Sequence, residues 1–418
     1  MMPCTLSVSA FKEERLMTLT DTKHQRHHQN AYRRQYPRQQ KNQTTPPFPE
    51  GSEELAWLRL ACAYLSPARL TKLVQNVESP LELFDKSFQR TYSRAAGSDK
   101  ILKKLQDSYP RAEQALRWSE GENCHLIVRN TEQYPRLLRQ IVDPPAVLFV
   151  RGNPEVLHTP QLAIVGSRKA SPPARSITRR WASELSQQGF SITSGLARGI
   201  DAAAHLGCLD NAGTSIAVLA SGPELCYPKT HTQMLDNLME QGASATEFPP
   251  TTQPVPRNFP QRNRIISGLS LGTLIIEAEA RSGSLVTARL AMEQDREVFA
   301  MPGSVMNPLA SGCHQLIQQG AKLVHQISDI VEELVAYLPV AAPAKADTGQ
   351  STDTTQSMRG DDTTVMQSLL NAVGFEPFTA NALAEQTGAD ISVVVSELLL
   401  LELAGKLAAL GDGRYVRI

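Results

Sequence analysis

The stretch LAIVGSRKASPPARSITRRWASELSQQGFSITSGLARGID, residues 162–201, decides the fold class. Short apolar runs at 162–165 and 190–193 have the length of buried β-strands. Between them, Ser171 is suited to cap the N-terminus of a helix and Gly189 to end it. A strand, a helix and a second strand in this order predict two parallel neighbours in one sheet.

The same alternation continues to residue 338. Further apolar runs, separated mostly by segments of helical length, lie at 215–219, 244–247, 273–276, 297–300 and 322–324. They predict an α/β protein whose main domain, residues 126–338, is a Rossmann-like, doubly wound and mostly parallel sheet. The prolines between Tyr134 and Pro145 favour extended or turn conformations, so we expect this segment to be a bridge.

The composition of the remaining sequence indicates four further regions. Residues 1–50 are expected to be a disordered basic tail, because residues 22–41 hold six Lys or Arg and no acid. Residues 51–125 show helical spacing of apolar side chains and predict a small helical domain, SAM-like or helix-hairpin-helix-like. Residues 339–360 are small and polar and predict a linker. Residues 361–418 predict three helices, at 364–373, 379–388 and 391–404, and a hairpin at 407–418, the outline of a winged helix.

Charge and cysteine content exclude several classes. The 418 residues include 42 Lys or Arg and 42 Asp or Glu, so a nucleic-acid surface would have to come from local clustering of charge. The six cysteines are scattered and form no C-x-x-C pair, which indicates neither a zinc site nor a disulfide framework. No apolar stretch has the length of a membrane span. We expect a reduced, cytoplasmic protein without metal or cofactor.

The loop after the first strand is suited to an anion. Gly166 lets the backbone approach a ligand at the helix N-terminus, where unpaired N–H groups point outward. Ser167 adds a hydroxyl and Arg168 a forked donor. An ordinary turn with a surface arginine explains these three residues equally well when they are taken alone.

The loop after the second strand gives a stronger signal. Ser194, Gly195 and Arg198 stand at the carboxyl end of that strand, and Asp201 falls in the first turn of the next helix. Parallel strands place this loop and the first at the same sheet edge, where open sheets bind ligands. His205 lies one turn beyond Asp201, and we weigh a structural histidine above a ligand contact.

A third segment combines charge with an aromatic ring. Arg257, Phe259, Arg262, Asn263 and Arg264 lie within eight residues, as binding of a single nucleic-acid strand requires. The apolar residues that follow predict a half-buried helix, so its arginines are expected to share one edge.

A fourth loop follows the strand at 273–276. Ser282, Gly283 and Ser284 at a helix start predict an anion nest. Glu277 at the strand end could accept a hydrogen bond from a base edge or hold this loop in place, and we weigh the second role higher.

Signatures of catalysis are few. The sequence contains no Walker A run and no H-E-x-x-H. Residues 268–272 match G-x-S-x-G, but that motif needs a strand before the serine and a helix after it, and the order here is the reverse. We therefore expect a protein that is not an enzyme.

Taken in order, the motifs resemble the DprA/Smf family of DNA-processing proteins. The resemblance is dense from residue 134 to residue 338 and rests on IVGSR at 164–168, SGLARGID at 194–201, YP at 227–228, FPQRNR at 259–264, EA at 277–278, SGS at 282–284, TA at 287–288 and PG at 302–303. It departs at Gly312, Cys313, His314 and Gln315, where the family has Gly-Thr/Ser-Asn, and at Pro173 and Ala174, where the family often has Tyr-Gly.

The resemblance implies a core that binds single-stranded DNA, protects incoming strands and helps load the RecA recombinase during natural transformation. It also implies self-association, with a homodimer as the expected state. It implies phosphate contacts at three places: Gly166, Ser167 and Arg168; Ser194, Gly195 and Arg198; and the segment from Phe259 to Arg264. An alternative remains, because the core also resembles the nucleotide-processing phosphoribohydrolases of the lysine-decarboxylase-like group. Their Pro-Gly-Gly-x-Gly-Thr loop is absent, and Arg281 to Ser284 occupy the comparable place.

The C-terminal domain is expected not to read DNA sequence. Residues 361–418 hold eight acids and three bases, and such a charge repels a phosphate backbone. The expected recognition helix, residues 391–404, carries two acids and no base. We expect this domain to serve protein contacts or autoinhibition.

Overall fold

A computed structural model describes residues 48–92, 98–337, 377–387, 390–403, 406–410 and 413–417. Contacts divide the chain into Met1–Pro49 and Glu50–Ile418, and all elements below belong to the second unit. Nearly all of the expected basic tail, the expected linker and the expected helix at 364–373 lie outside the described residues.

The segment before the sheet is helical, as its apolar spacing predicts. Ser52 caps the first helix by accepting a hydrogen bond from the Leu55 N–H, and Leu58 and Leu83 are fully buried beneath these helices. The helices are α1 (Glu53–Ala61), α2 (Pro67–Val74), α3 (Lys86–Tyr92), α4 (Ser98–Gln106) and α5 (Tyr109–Ser119), with a 3₁₀ turn at Pro80–Phe84.

The main domain is built on a nine-stranded sheet. Its strands are β1 (Cys124–Val128), β2 (Val147–Gly152), β3 (Gln161–Gly166), β4 (Ser191–Ser194), β5 (Ser215–Val218), β6 (Ala243–Thr246), β7 (Gly272–Ile276), β8 (Glu297–Ala300) and β9 (Lys322–Leu323). Their order is β1-β2-β6-β5-β4-β3-β7-β8-β9. The seven strands from β3 to β9 pair with one another in parallel, which confirms the predicted fold class.

Helices cover both faces of this sheet. Successive residues of β3 point to opposite faces, so Leu162 and Ile164 pack in one apolar cluster with Trp181, whereas Ala163 and Val165 pack in the other. The helices of this domain are α6 (Arg136–Arg139), α7 (Pro172–Gln187), α8 (Ile200–Asp210), α9 (Thr232–Gln241), α10 (Asn258–Leu269), α11 (Gly283–Glu293), α12 (Ser311–Gln318) and α13 (Ser328–Leu334). Short 3₁₀ turns lie at Pro154–His158, Lys229–His231, Pro308–Ala310 and Val335–Tyr337.

The strand order reverses between β3 and β7. The chain runs outward from β3 through β4, β5 and β6, and then returns to place β7 on the other side of β3. In open α/β sheets, ligands bind outside the carboxyl ends of the strands at such a switch point. The loops after β3, β4 and β7 therefore meet where a ligand is expected.

Two strands that the sequence did not predict flank the proline-rich bridge at 134–145. Strand β2 pairs antiparallel with β6 and β1 pairs antiparallel with β2, so these two strands extend one edge of the sheet. Tyr134 is buried and its hydroxyl donates to the Pro145 carbonyl over 2.8 Å. This bond joins the two ends of the proline-rich segment.

The C-terminal domain has the expected winged-helix elements in its described part. These are β10 (Phe378–Thr379), α14 (Ala380–Thr387), α15 (Ile391–Leu403), β11 (Leu407–Ala409) and β12 (Arg414–Arg417). The three strands form one antiparallel sheet, with β10 replacing the start of the helix that we expected at Thr379. Val394, Leu398 and Leu401 of α15 form its apolar core with Leu383 and Leu407.

Candidate functional site

The loops after β3 and β4 are locked together by glycines. A Cβ on Gly166 would lie 1.9 Å from the Ile276 carbonyl oxygen, so only glycine allows β3 and β7 to end this close together. Gly199 has φ +80°, and a Cβ there would lie 2.1 Å from the Ser167 carbonyl oxygen. The same carbonyl accepts from the Ile200 N–H over 3.2 Å. These glycines hold the two loops against each other and leave Arg168 and Arg198 exposed.

Arg262 supports the second loop from below and does not reach solvent. Only 4% of this residue is exposed, and its Nη1 donates to the Val218 carbonyl over 2.7 Å. A Cβ on Gly195 would lie 2.0 Å from the same nitrogen, so Gly195 makes room for the guanidinium. Burial lowers the pKa of Arg262 to about 10, and the Asp201 charge opposes that shift. The expectation that Arg262 contacts a phosphate needs correction.

Asp201 completes this buried arrangement. Its Oδ2 accepts from the backbone N–H groups of Gly195 over 3.1 Å and of Ala197 over 3.4 Å. Burial raises the pKa of Asp201, while the Arg262 charge and these two hydrogen bonds lower it. The Gly195 N–H, which we expected to face a ligand, is therefore occupied by the protein's own carboxylate.

Arg264 is also occupied. Its two terminal nitrogens donate to the two carboxylate oxygens of Glu247 over 2.6 and 2.7 Å, and both side chains are about one-tenth exposed. This forked ion pair ties α10 to the end of β6. The expectation that Arg264 faces a phosphate is thereby corrected, because both terminal nitrogens donate to Glu247 inside the fold.

Ser194 needs the same correction. It is fully buried, and its hydroxyl donates to the Ile164 carbonyl over 2.6 Å. The bond ties β4 to β3 below the loops and leaves no hydroxyl proton for a ligand.

Above these buried groups, the Phe259 and Tyr227 rings and the Arg168 guanidinium lie at the surface. The Arg168 Cζ lies 5.5 Å from the centroid of the half-buried Phe259 ring. Tyr227, 51% exposed, meets the Phe259 ring edge to face, with centroids 5.5 Å apart. The sequence reading missed Tyr227 as a site residue, although its Tyr-Pro pair contributed to the family resemblance. Arg257 at the start of α10 is exposed as well.

The loop after β7 is tied to its neighbours. Both Glu277 carboxylate oxygens accept hydrogen bonds over 2.7 Å from Ser171, one from its N–H and one from its hydroxyl, and Asn307 adds a third bond over 3.2 Å. These contacts agree with a role in holding the loop. Ser282 and Ser284 lie next to each other, with hydroxyl oxygens 3.1 Å apart.

The fourteen residues expected at the site thus differ in exposure. Arg168, Arg198, Arg257 and Gly283 are exposed, and Gly166, Ser167, Phe259, Asn263 and Ser282 are half-buried. Ser194, Gly195, Arg262, Arg264 and Ser284 are buried. The Asn263 amide donates to the Gly283 carbonyl over 3.5 Å, which brings the third segment beside the fourth loop. The exposed and half-buried residues of this set, together with Tyr227, are called the loop site below: Gly166, Ser167, Arg168, Arg198, Tyr227, Arg257, Phe259, Asn263, Ser282 and Gly283.

His205 is structural. It is fully buried, and its Nδ1 lies 2.8 Å from the Ser215 hydroxyl oxygen. Burial lowers the pKa of His205 to about 3, with smaller contributions from His231 and Arg262. The ring is neutral at physiological pH and lies below the loops.

A Rossmann-like sheet with basic and aromatic loops at its switch point, followed by a winged helix, defines a class of nucleic-acid-handling proteins. Two family models match the chain: DNA recombination-mediator protein A over residues 125–335 and the DprA winged helix domain over residues 353–413. The chain belongs to the DNA recombination-mediator protein A family, also called DprA/Smf. No described helix combines the length and the apolar character that a membrane crossing needs.

Relatives from two bacteria support this assignment. The chain is 45% identical over 314 residues to Protein Smf from Escherichia coli, which covers 74% of this chain and 82% of that protein. It is 44% identical over 200 residues to the DNA processing protein DprA from Streptococcus pneumoniae, covering 48% of this chain and 71% of that protein. The X-ray structure of DNA processing protein A from Streptococcus pneumoniae matches with a TM-score of 0.59 and 34% identity over 67% of this chain and 97% of that one.

Proposed function

We propose that the loop site binds the phosphate backbone and bases of single-stranded DNA. The observation that carries the proposal is the contact of the exposed Arg168 guanidinium with the Phe259 ring, which also meets Tyr227, at the switch point of the sheet. Arg198 and Arg257 are exposed in the second loop and at the start of α10. Cations that follow a backbone beside rings on which bases stack are what binding of a single strand requires. The name of the Streptococcus pneumoniae relative, DNA processing protein DprA, agrees with this ligand.

The buried groups have a supporting role in this proposal. Arg262 and Asp201 fix the second loop from below, and Glu277 fixes the first and fourth loops to each other. A rigid loop site loses little conformational entropy when a strand binds, because the exposed arginines project from loops that are already ordered.

By membership of its family, we further propose that the protein acts in the cytoplasm as a homodimer. In that role it protects incoming strands and helps load RecA during natural transformation. RecA loading predicts that the protein shortens the delay before RecA covers single strands already bound by a single-strand-binding protein. Light scattering at several concentrations would test the dimer.

A hydrolytic function has less support. A phosphoribohydrolase needs a strand-end carboxylate that is available to its substrate, whereas both Glu277 oxygens accept hydrogen bonds from Ser171 and one also from Asn307. Release of free base from nucleoside monophosphates by purified protein would favour the enzyme instead.

Titration of labelled single- and double-stranded oligonucleotides at several salt concentrations tests the proposal directly. We expect single strands to bind more tightly, with log K falling linearly against log salt by about 0.7 for each phosphate neutralised. Equal or tighter binding of the duplex would contradict it.

A further inference from the structure

A second basic surface adjoins the loop site. A groove between α7 and α8, the α7–α8 groove, is lined by the cationic side chains of Arg168, Lys169, Arg175, Arg179 and Arg198. Within the part of the chain that the structure describes, none of its lining residues is acidic. The chain as a whole has equal numbers of acids and bases, so five cations in one groove are a marked local excess.

Most of these cations are unpaired. Arg179 is the exception, because it forms a two-point ion pair with Asp210 at 2.5 Å. Among the described residues, Lys169, Arg175 and Arg198 make no ion pair and no side-chain hydrogen bond, and all three are exposed. Exposed cations whose charge is not satisfied within the protein are free to neutralise phosphates.

The arrangement of the groove suits a chain of phosphates better than a single anion. Arg175 and Arg179 are one helical turn apart on α7, about 6 Å along the axis. Apolar side chains, including that of Leu206, line the groove beside these cations. A single phosphate could contact only part of this surface, whereas a strand would place its sugars on the apolar part and its phosphates beside the cations.

The groove is continuous with the loop site, because Arg168 and Arg198 belong to both. His231 also lines the groove, and its Nδ1 lies 3.0 Å from the Leu196 carbonyl oxygen in the second loop. A strand leaving the loop site past Arg168 therefore enters the α7–α8 groove without crossing an acidic residue that lines it.

We propose that the α7–α8 groove binds the phosphate backbone of the same single strand beyond the loop site, so that each protomer contacts a longer stretch of DNA than its loops reach. This inference rests on the proposed function of the loop site. The added contacts come from Lys169 and Arg175, which lie outside that site.

Oligonucleotides of two lengths test the extension. A short strand of about four nucleotides would fill the loop site alone, and a strand of about sixteen would reach the groove, these being the limits of site size in single-strand-binding folds. The test variant carries Lys169→Ala and Arg175→Ala. The control variant, Arg180→Ala, removes a cation that is exposed on the same helix but does not line the groove.

We expect the double variant to bind the long strand more weakly and to lower the magnitude of its salt slope by about 1.4, the value for two phosphates. Binding of the short strand should be unchanged, as should every value for Arg180→Ala. Unchanged binding of the long strand by a correctly folded double variant would overturn the extension while leaving the loop site intact. Equal weakening for both lengths would also overturn it, because the groove would then be part of the loop site. If the native protein bound neither strand, that result would instead contradict the proposed function itself.

Discussion

The Arg168 guanidinium carbon lies 5.5 Å from the centroid of the Phe259 ring. The two residues are 91 positions apart in the sequence, one in the loop after β3 and the other in the first turn of α10. Their contact joins a cation to an aromatic face at the surface, a geometry in which each orients the other. A strand bound here can place a phosphate at the arginine while a base reaches the ring.

Replacing Arg168 with Ala should weaken binding of single strands and lower the magnitude of the salt slope by about 0.7, the contribution of one phosphate. The residue is exposed, so the melting temperature should stay unchanged. Fluorescence anisotropy over a range of salt concentrations measures both quantities. Arg180→Ala, an exposed arginine on α7 away from the loops, is the matched control. Native affinity and slope for Arg168→Ala would exclude this residue from the interface.

Replacing Phe259 with Ala should weaken binding by about 1–3 kcal/mol, the range for loss of stacking on one base. The ring also packs against Tyr227, so a purely structural role makes a different prediction. Loss of stacking leaves the unfolding transition near its native midpoint and lowers affinity. If Phe259 has only a packing role, Phe259→Ala lowers the unfolding midpoint. Phe259→Leu should then restore stability, and neither variant should show an effect on binding beyond that of the lost stability.

Replacing Arg264 with Ala should destabilise the fold. The Glu247 carboxylate would be left buried without its partner, and removal of one member of a buried pair typically costs about 3–5 kcal/mol. Urea denaturation measures the loss. The double variant Arg264→Leu with Glu247→Leu removes both charges and should recover much of the stability. If Arg264→Ala instead has native stability and weakened DNA binding, Arg264 contacts the strand.

The arginines of α10 illustrate what could not be predicted from the sequence alone. The spacing of apolar residues predicted a half-buried helix, and its buried Ile265 and Ile266 agree. The partners of its arginines are remote in sequence: the Val218 carbonyl for Arg262 and the Glu247 carboxylate for Arg264. No local sequence pattern indicates which of several arginines forms a hydrogen bond with a partner so remote in the sequence. The apolar spacing therefore predicted the helix correctly, whereas the expectation that its arginines face a ligand along one edge is wrong for Arg262 and Arg264.

Strands were predictable where hydrophobic runs alternate with helices, and less so elsewhere. All seven predicted strands of the main domain are present within one or two residues of their predicted ends. Strands β1 and β2 were not predicted, because prolines follow β1 and precede β2. In addition, β2 pairs antiparallel with β6, a partner about 95 residues away in the sequence. The predicted loops meet at the switch point because the order of parallel strands fixes where they end.

His205 predicts a pH dependence of stability. Its pKa is about 3 in the folded protein, against an ordinary value of 6.5. A depressed folded pKa contributes stability above pH 6.5, and this contribution is lost as the pH falls toward 3, by up to about 1.4 kcal/mol per pH unit. Urea denaturation at several pH values should show a smaller decline for His205→Gln than for the native protein. Parallel declines in both would mean that the folded ring protonates freely.

The C-terminal domain presents a surface unlike that of a DNA reader. The exposed side chains of α15 include Ile391, Val395, Leu399 and Leu400, whereas a helix that enters the major groove needs polar or basic side chains to contact base edges. Residues 361–418 carry eight acids and three bases, a net charge of −5. Because of both features, we expect this domain to serve protein contacts or autoinhibition rather than to bind phosphates.

Truncation after Val340 should therefore leave the affinity for single strands equal to or higher than that of the full chain. The reason is electrostatic: removing a net charge of −5 can only reduce repulsion of the strand, and the loop site lies entirely within residues 166–283. Circular dichroism and thermal melting establish that the remaining domains stay folded, and anisotropy at two salt concentrations gives the affinity. A gain in affinity that shrinks at high salt would support autoinhibition by charge. Binding at least tenfold weaker in a folded truncated protein would show that the winged helix contributes directly to DNA binding.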